Sequence, residues 1–251
     1  MALCQTIAHQ AAAAIDNARL YEETQRRAEQ LRLVNEIGYE VSTTLDLDYL
    51  LWQVVRLIQE TFDCYLVSIG LVEGDELVFK ADVGYAYEQP RITGLRLRLG
   101  KEGITGWVAR HGQSLLVPDV SREPRYYAVD TLPDTRSELA VPLRLHDRVI
   151  GVLDVQGDRV NAFDYSDQIL LEALANQVAV AVENARLFST VREEQAKLEA
   201  IINGTGDAII VVDESGQVLL MNPAARRAFE VPPTASISAP LLDVVSHPAL
   251  E

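Results

Sequence analysis

Apolar and small residues fall three and four apart at Leu171, Leu174, Val178, Ala181, Ala185 and Phe188, and after a slip the pattern resumes through Val191, Leu198 and Ile202. That spacing draws one stripe along a helix. It predicts a single helix over 164–202, with no proline inside it. Asp164 can cap its start, with Asp167 in the first turn. At about 1.5 Å per residue the helix spans on the order of 55 Å, too long for one small domain to cover. Part of it is expected to project, and a projecting apolar stripe needs a partner.

The same text stands near the N-terminus. Gln10, Ile15, Asp16, Asn17, Ala18, Arg19, Leu20 and Tyr21 match Gln177, Val182, Glu183, Asn184, Ala185, Arg186, Leu187 and Phe188 at a constant offset of 167. Leu31 and Val34 match Leu198 and Ile201. A domain-plus-helix unit therefore repeats, and the chain opens in the tail of one unit and contains the next. Residues 2–44 are helical in pattern, with Leu20, Leu31, Val34, Val41 and Leu45 on a drifting stripe. The expected architecture is a relay, sensor domains strung on helices. Leu20, Leu31, Val34, Leu174, Val178, Ala181, Ala185, Phe188, Val191 and Leu198 are its candidate homodimer contacts.

Beyond residue 44 the texture changes. Asp46 or Asp48 can cap a second helix carrying Leu50, Leu51, Val54, Val55, Leu57 and Ile58, which should stop near Phe62. The period then drops to 2. Residues 65–72 and 77–83 read as paired strands around Gly74-Asp75, a hairpin turn. Leu95, Leu97 and Leu99 alternate with Arg96 and Arg98 in a half-exposed strand. Gly100 and Gly103 turn the chain into a short helix over 104–110, closed by Gly112, and 115–117 is a further strand. Residues 121–138 form a long loop with Pro124, Pro133, Tyr126 and Tyr127, and loops of that length in compact domains are often functional. Strands over 139–145 and 149–155 surround His146-Asp147. The continuous apolar run 149–153 predicts burial on both faces, and Pro142 predicts a bulge or a sheet edge. The order of elements gives an α+β fold around an antiparallel sheet.

After residue 202 come short strands over 208–212 and 217–221, then Asn222 capping a helix that has Pro223 at its first position and runs to Phe229. Two strands in about 45 residues are too few for a stable sheet domain, so in isolation residues 206–251 are expected to exchange amide hydrogens quickly.

Composition narrows the function classes. The 251 residues are 48% apolar, enough for a real core in one or two domains. The net charge of −15 argues against a nucleic-acid or anionic-membrane surface. Cys4 and Cys64 lack a CxxC or Cys/His neighbourhood, which speaks against disulfide and zinc readings. No apolar run approaches the ~20 residues that cross a bilayer, and no signal peptide is visible, so a cytoplasmic setting without membrane insertion is expected. Met1 followed at once by helix text reads as part of a longer protein. His9, His111, His146 and His247 read as surface side chains rather than haem or metal ligands. Arg91, Arg96, Arg98 and Lys101 read as a solvated strand face.

Several segments then follow in a telling order: Gly103-Ile104-Thr105-Gly106-Trp107-Val108-Ala109, Val117-Pro118-Asp119-Val120, Thr135-Arg136-Ser137-Glu138-Leu139-Ala140-Val141-Pro142-Leu143, Val149-Ile150-Gly151-Val152-Leu153-Asp154-Val155, and Ala162-Phe163 with Asp167 leading into Leu174-Ala175. In that order the middle of the chain resembles a GAF domain. Asp213-Glu214-Ser215-Gly216 and Asn222-Pro223-Ala224-Ala225 make residues 207–230 similar to the opening of a PAS domain. The division expected is residues 1–34 as the last helix of an upstream GAF domain with its linker, 35–188 as a GAF domain, 189–205 as a helical linker and 206–251 as an incomplete PAS-like segment. The resemblance implies a six-stranded antiparallel sheet with helices on one face, a small-molecule pocket on the other and long flanking signalling helices. It also implies service as a regulatory input, often in a bacterial histidine kinase of a two-component system or a cyclic-di-GMP enzyme, working as a parallel dimer.

The resemblance places the pocket under the small helix and the long loop, which points to Trp107, Asp119, Tyr126, Tyr127, Arg136 and Ser137 as ligand-binding residues. An aromatic wall with a few fixed polar groups suits a small ligand, and Arg136 could pair with a carboxylate or phosphate. The alternative puts Trp107 in the core and ties Arg136 to Glu138 or Asp119, while Asp154 reads as a hydrogen-bonded structural acid. GAF members that bind cyclic GMP carry Asn-Lys, a Phe, then Asp-Glu. Asn161, Phe163 and Asp167 fit, but Ala162 stands for the Lys and Gln168 for the Glu, which disfavours cyclic GMP. Bilin attachment needs a suitably placed cysteine, which Cys64 in a core strand is not. The sulfoxide-reducing members need a cysteine set that is absent. No cofactor is expected, and a ligand would be an unknown small molecule. No nucleophile–base pair, metal cluster or P-loop is legible. The expectation is a non-catalytic sensory domain signalling through dimeric helices; the alternative is a structural dimerisation spacer with no ligand.

Overall fold

The computed structural model describes residues 46–62, 64–84, 92–232 and 239–244. The N-terminal helix text, with Leu20, Leu31 and Val34, lies outside the described residues.

The alternating segments become six strands: β1 (Leu66–Glu73), β2 (Glu76–Gly84), β3 (Arg96–Arg98), β4 (Leu115–Val117), β5 (Ser137–Leu145) and β6 (Arg148–Gly157). They form one antiparallel sheet in the order β3-β2-β1-β6-β5-β4. This is the six-stranded α+β arrangement that the resemblance implies. Gly74 makes the β1–β2 turn with φ +62°, a conformation open to glycine at little cost. Pro142 sits on β5 beyond the last β4 pair, Leu115 with Ala140, so its missing N–H falls where β5 is an edge. A bulge follows at once, between Leu143 and Arg144.

Two helices cover one face of the sheet. Helix α1 (Leu47–Phe62) starts where the Asp46 carboxylate accepts from the Tyr49 N–H at 2.9 Å. The long stripe becomes α3 (Tyr165–Gly204). Asp164 Oδ1 accepts from the backbone N–H of Ser166 and Asp167, and Asp167 Oδ2 accepts from the Asp164 N–H, a reciprocal cap. Leu50, Val54 and Ile58 of α1 and Leu171, Leu174, Val178 and Val182 of α3 pack on Val67, Ile69, Leu139, Val141, Leu153 and Val155. Here one expectation is corrected. Leu174, Val178, Ala181 and Ala185 are buried in this chain's own core, because that part of the stripe is the face α3 turns to the sheet. They are not held open for a partner. Phe188, Val191 and Leu198, further along α3, are 36%, 53% and 58% exposed.

On the other face lies α2 (Gly103–His111), which ends as predicted at Gly112, φ +66°, whose N–H donates to the Val108 carbonyl. The loop after β4 is not structureless. Asp119 caps a single 3₁₀ turn, Val120–Arg122, by accepting from the Ser121 N–H. Ile104, Val108, Val120 and Leu132 pack here on Leu66, Phe79, Ala140 and Val152.

The chain divides into two compact units after Leu187. In the second, β7 (Ile210–Val212) and β8 (Val218–Met221) form a two-stranded sheet, followed by α4 (Pro223–Ala228) and α5 (Leu241–Val244). Val218, Met221, Ala225 and Val231 make its small core, while Val211, Val212 and Leu219 stay exposed. No helix among the described residues is long and apolar enough to cross a membrane.

Candidate functional site

Strand alternation decides which side chains reach the α2 face. On β6, Leu153 and Val155 belong to the core under α1 and α3, so Asp154 and Gln156 point the other way. On β5, Leu139 and Val141 are on the helix side and Glu138 and Ala140 are not. The register sets Ala140 opposite Asp154 and Glu138 opposite Gln156. Glu138 is thus the diagonal neighbour of Asp154 on the same face. The bulge between Leu143 and Arg144 makes this so. Pairing begins as Leu145 with Arg148, and had it continued without a shift, Glu138 would have faced Val155 and lain on the opposite side from Asp154.

Both acids are buried, Glu138 at 5% exposure and Asp154 at 0%. Asp154 Oδ2 accepts from Gln156 Nε2 at 2.9 Å and from Ser68 Oγ at 3.3 Å. Gln156 is oriented in turn by Thr135, whose hydroxyl donates to Gln156 Oε1 at 2.7 Å. No N–H or O–H of the described residues donates to Asp154 Oδ1. The two carboxyls are diagonal neighbours on one buried face, where at least one of them is more easily held as the neutral acid. Burial pushes both titrations up. Asp154 rises to about 6 despite the hydrogen bonds from Gln156 and Ser68, and Glu138 rises well above its usual range, by desolvation first and by the Asp154 charge second. Glu123 adds further negative charge near Glu138. The arrangement is a desolvated acid pair short of positive charge.

This pair lies at one side of a cavity that encloses about 330 Å³ of interatomic space, part of it open to solvent. Phe79, Ile92, Leu95, Leu97, Ile104, Val129 and Leu132 give it apolar walls, Tyr127 an aromatic one, and Thr105 and Gln156 polar points. Gly103 also lines it, at φ +74°, and a Cβ there would come within 3.1 Å of Leu97 Cδ1. Asp82 fixes one wall. Its Oδ1 accepts from the backbone N–H of Thr93 at 2.7 Å and of Ile92 at 3.3 Å, pinning the return of the chain onto the sheet.

The cavity brings together only one of the six residues singled out in the sequence, Tyr127. Trp107 is half-buried outside it, stacked on His111 with centroids 4.4 Å apart, and the Arg125 guanidinium lies 4.8 Å from its ring centre. Arg125 is held by Glu123 through two hydrogen bonds of 2.6 and 2.9 Å. Trp107 therefore clamps the long loop to α2. Asp119 is occupied with Ser121 and Arg122, and the Ser121 hydroxyl holds its carboxyl below the usual range. Tyr126 is half-buried, and burial pushes its phenol titration up. The Arg136 guanidinium is exposed and donates to the carbonyls of Pro133 and Thr135, not to an acid. The Ser137 hydroxyl donates to the Arg159 carbonyl at 2.9 Å. Cys64 belongs to the core under the helices, on the opposite face of the sheet from the cavity. Among the described residues no group of three or more His, Cys, Asp or Glu is placed to hold a metal ion.

Glu138 and Asp154 are the acids that line the pocket, and the sequence argument chose neither as a ligand residue. One signal was present, a charged residue inside the apolar run Val152-Leu153-Asp154-Val155.

Residues 44–183, more than half of the chain, match the family model described as GAF domain, and residues 196–250 match the PAS fold. GAF domain-containing protein A of Dictyostelium discoideum is 34% identical over 116 residues, 46% of this chain and 68% of that protein. The dual 3',5'-cyclic-AMP and -GMP phosphodiesterase 11A of Takifugu rubripes is 24% identical over 230 residues, which are 86% of this chain but 25% of the phosphodiesterase. This chain thus spans a quarter of that relative's length. The crystal structure of free methionine-R-sulfoxide reductase from Neisseria meningitidis in complex with its substrate superposes with a TM-score of 0.57 at 28% identity, covering 64% of this chain and 92% of that one.

Proposed function

This chain belongs to the GAF domain family, and we propose that its sheet carries a sensory pocket for a small molecule with a protonated amine. The observation behind this reading is the buried Glu138–Asp154 pair, which borders the cavity with Asp154 Oδ1 lacking a donor. An ammonium group replaces the proton that burial holds on this pair, supplies donors to both carboxyls and removes the cost of leaving them charged in a dry site. The apolar and aromatic walls then select the ligand's side chain. A cyclic nucleotide brings an anionic phosphate to the same acids, so it is disfavoured.

Free amino acids fit this description, and the Neisseria relative was crystallised with its own substrate as a free methionine-R-sulfoxide reductase. Reducing a sulfoxide needs two electrons from a donor. The thiol of Cys64 is on the other face of the sheet, so binding without turnover is the proposed role. Output passes along α3 to the PAS-like unit and regulates a downstream domain, in a homodimer joined through the exposed stripe of Phe188, Val191 and Leu198.

The test is calorimetric titration of the chain with methionine sulfoxide and a panel of free amino acids, their N-acetyl forms and cyclic GMP. Binding of a free amino acid and loss of binding on N-acetylation are expected. Equal binding of the acetylated form, or tighter binding of cyclic GMP, contradicts the reading. A second reading, a dimerisation spacer, is supported by the same exposed stripe. It gains ground if Phe188→Glu abolishes dimerisation in ultracentrifugation while no ligand in the panel binds.

A further inference from the structure

Asn222 is fully buried, and its side chain uses every hydrogen bond an amide can make. Oδ1 accepts from the backbone N–H of Ala225 at 2.8 Å and of Ile209 at 3.0 Å. Nδ2 donates to the carbonyl of Ile202 at 2.9 Å and to that of Asp207 at 2.9 Å. The two halves do different things. The oxygen half caps α4 and holds the chain entering β7, as the sequence leads one to expect of an N-cap. The nitrogen half reaches back to one of the last four carbonyls of α3, which have no partner inside the helix, and to the turn that follows it. Two donors on one side and two carbonyls on the other fix the orientation of the amide. The backbone of Asn222 adds a bond from its N–H to the Ile209 carbonyl at 3.0 Å.

We propose that Asn222 is the joint that couples the last turn of α3 to the β7–β8–α4 unit, so that loosening or turning the helix end is felt in the hairpin. An N-cap alone needs only the oxygen half. A joint needs both halves in one rigid side chain, and here a planar amide carries them. The inference is independent of what the pocket binds.

Substitutions can separate the halves. Asn222→Asp keeps an acceptor for Ala225 and Ile209 but turns an oxygen toward the carbonyls of Ile202 and Asp207. Asn222→Ser keeps a capping hydroxyl and loses both amide N–H donors. Hydrogen exchange of the full chain, followed by mass spectrometry, reads the result. In both variants the amides of residues 202–205 exchange about tenfold faster, while those of 225–229 keep their protection. Transmission is read by adding Ala200→Gly, which weakens the helix end at an exposed position. In the parent it raises exchange at 209–212 several-fold; in the Asn222→Ser background it adds nothing there. Ala200→Gly failing to reach 209–212, or reaching them equally in both backgrounds, overturns the proposal and leaves Asn222 a cap. If Asn222→Asp loses protection throughout 205–231, the serine variant decides by the same readings, and the same general loss in it also overturns the joint.

Discussion

Leu153 and Asp154 are neighbours on β6, yet Leu153 meets hydrocarbon from two helices while Asp154 ends at a second carboxyl. The strands that hold them are the same; the faces differ. On the helix side, burial and packing point the same way, and every contact favours the fold. On the α2 side, the sheet buries Glu138 and Asp154 where their charged forms are penalised. A stable sheet needs only the first kind of face. The second is the face on which the proposed amine site rests.

That contrast can be broken at its strongest point first. Leu153→Ala, on the helix side, should lower stability by about 2–5 kcal/mol in urea or thermal denaturation, the usual cost of emptying a packed core position. Glu138→Gln should act in the opposite direction on the unliganded protein, raising its stability at pH 8, and should weaken an amine ligand by about 2–4 kcal/mol, some thirty-fold to a thousand-fold by calorimetry. If it destabilises the free protein as much as Leu153→Ala does, the two faces are alike and the contrast fails.

The pH dependence of the free protein comes next. The folded-state titration of Asp154 is raised from 3.8 to about 6, so the folded state binds the proton more tightly than the unfolded one. Its contribution is present below the unfolded value and is lost as pH climbs through about 4 to 6, with Glu138 extending the loss to higher pH. The loss from Asp154 is on the order of 2–3 kcal/mol, and Asp154→Asn should flatten that part of the profile. A profile that rises over this window contradicts the buried pair. The smallest effect belongs to Tyr127→Ala. It should cost an amine ligand about 1 kcal/mol while leaving stability nearly unchanged, since Tyr127 is 46% exposed.

Much of the fold was legible because periodicity carries it. The stripe through Leu171, Leu174 and Val178 gave α3, and Gly112 closed α2 where expected. The site was less legible. Aromatic residues and an arginine attract attention around a long loop, but Trp107 spends its contacts on His111 of its own helix and on Arg125 of the loop, and Arg136 on loop carbonyls. The acid pair depends on a one-residue bulge between Leu143 and Arg144; Pro142 signalled a bulge or an edge there, but not that the shift would turn Glu138 to the face of Asp154. Residues sixteen apart in sequence were brought to one face by that shift. The stripe on α3 illustrates the reverse problem: one pattern served two purposes, with Val178 packed on the sheet and Leu198 left exposed, and periodicity does not say where one use ends.

The most direct measurement is the proton balance of ligand binding. Calorimetry of an amino-acid ligand at pH 7, in buffers of different ionisation enthalpy, counts the protons exchanged. The parent chain is predicted to release up to one proton per ligand, as the ammonium displaces the proton that burial holds on the Glu138–Asp154 pair, and Glu138→Gln almost none. Proton uptake, or the same release from both proteins, would contradict it.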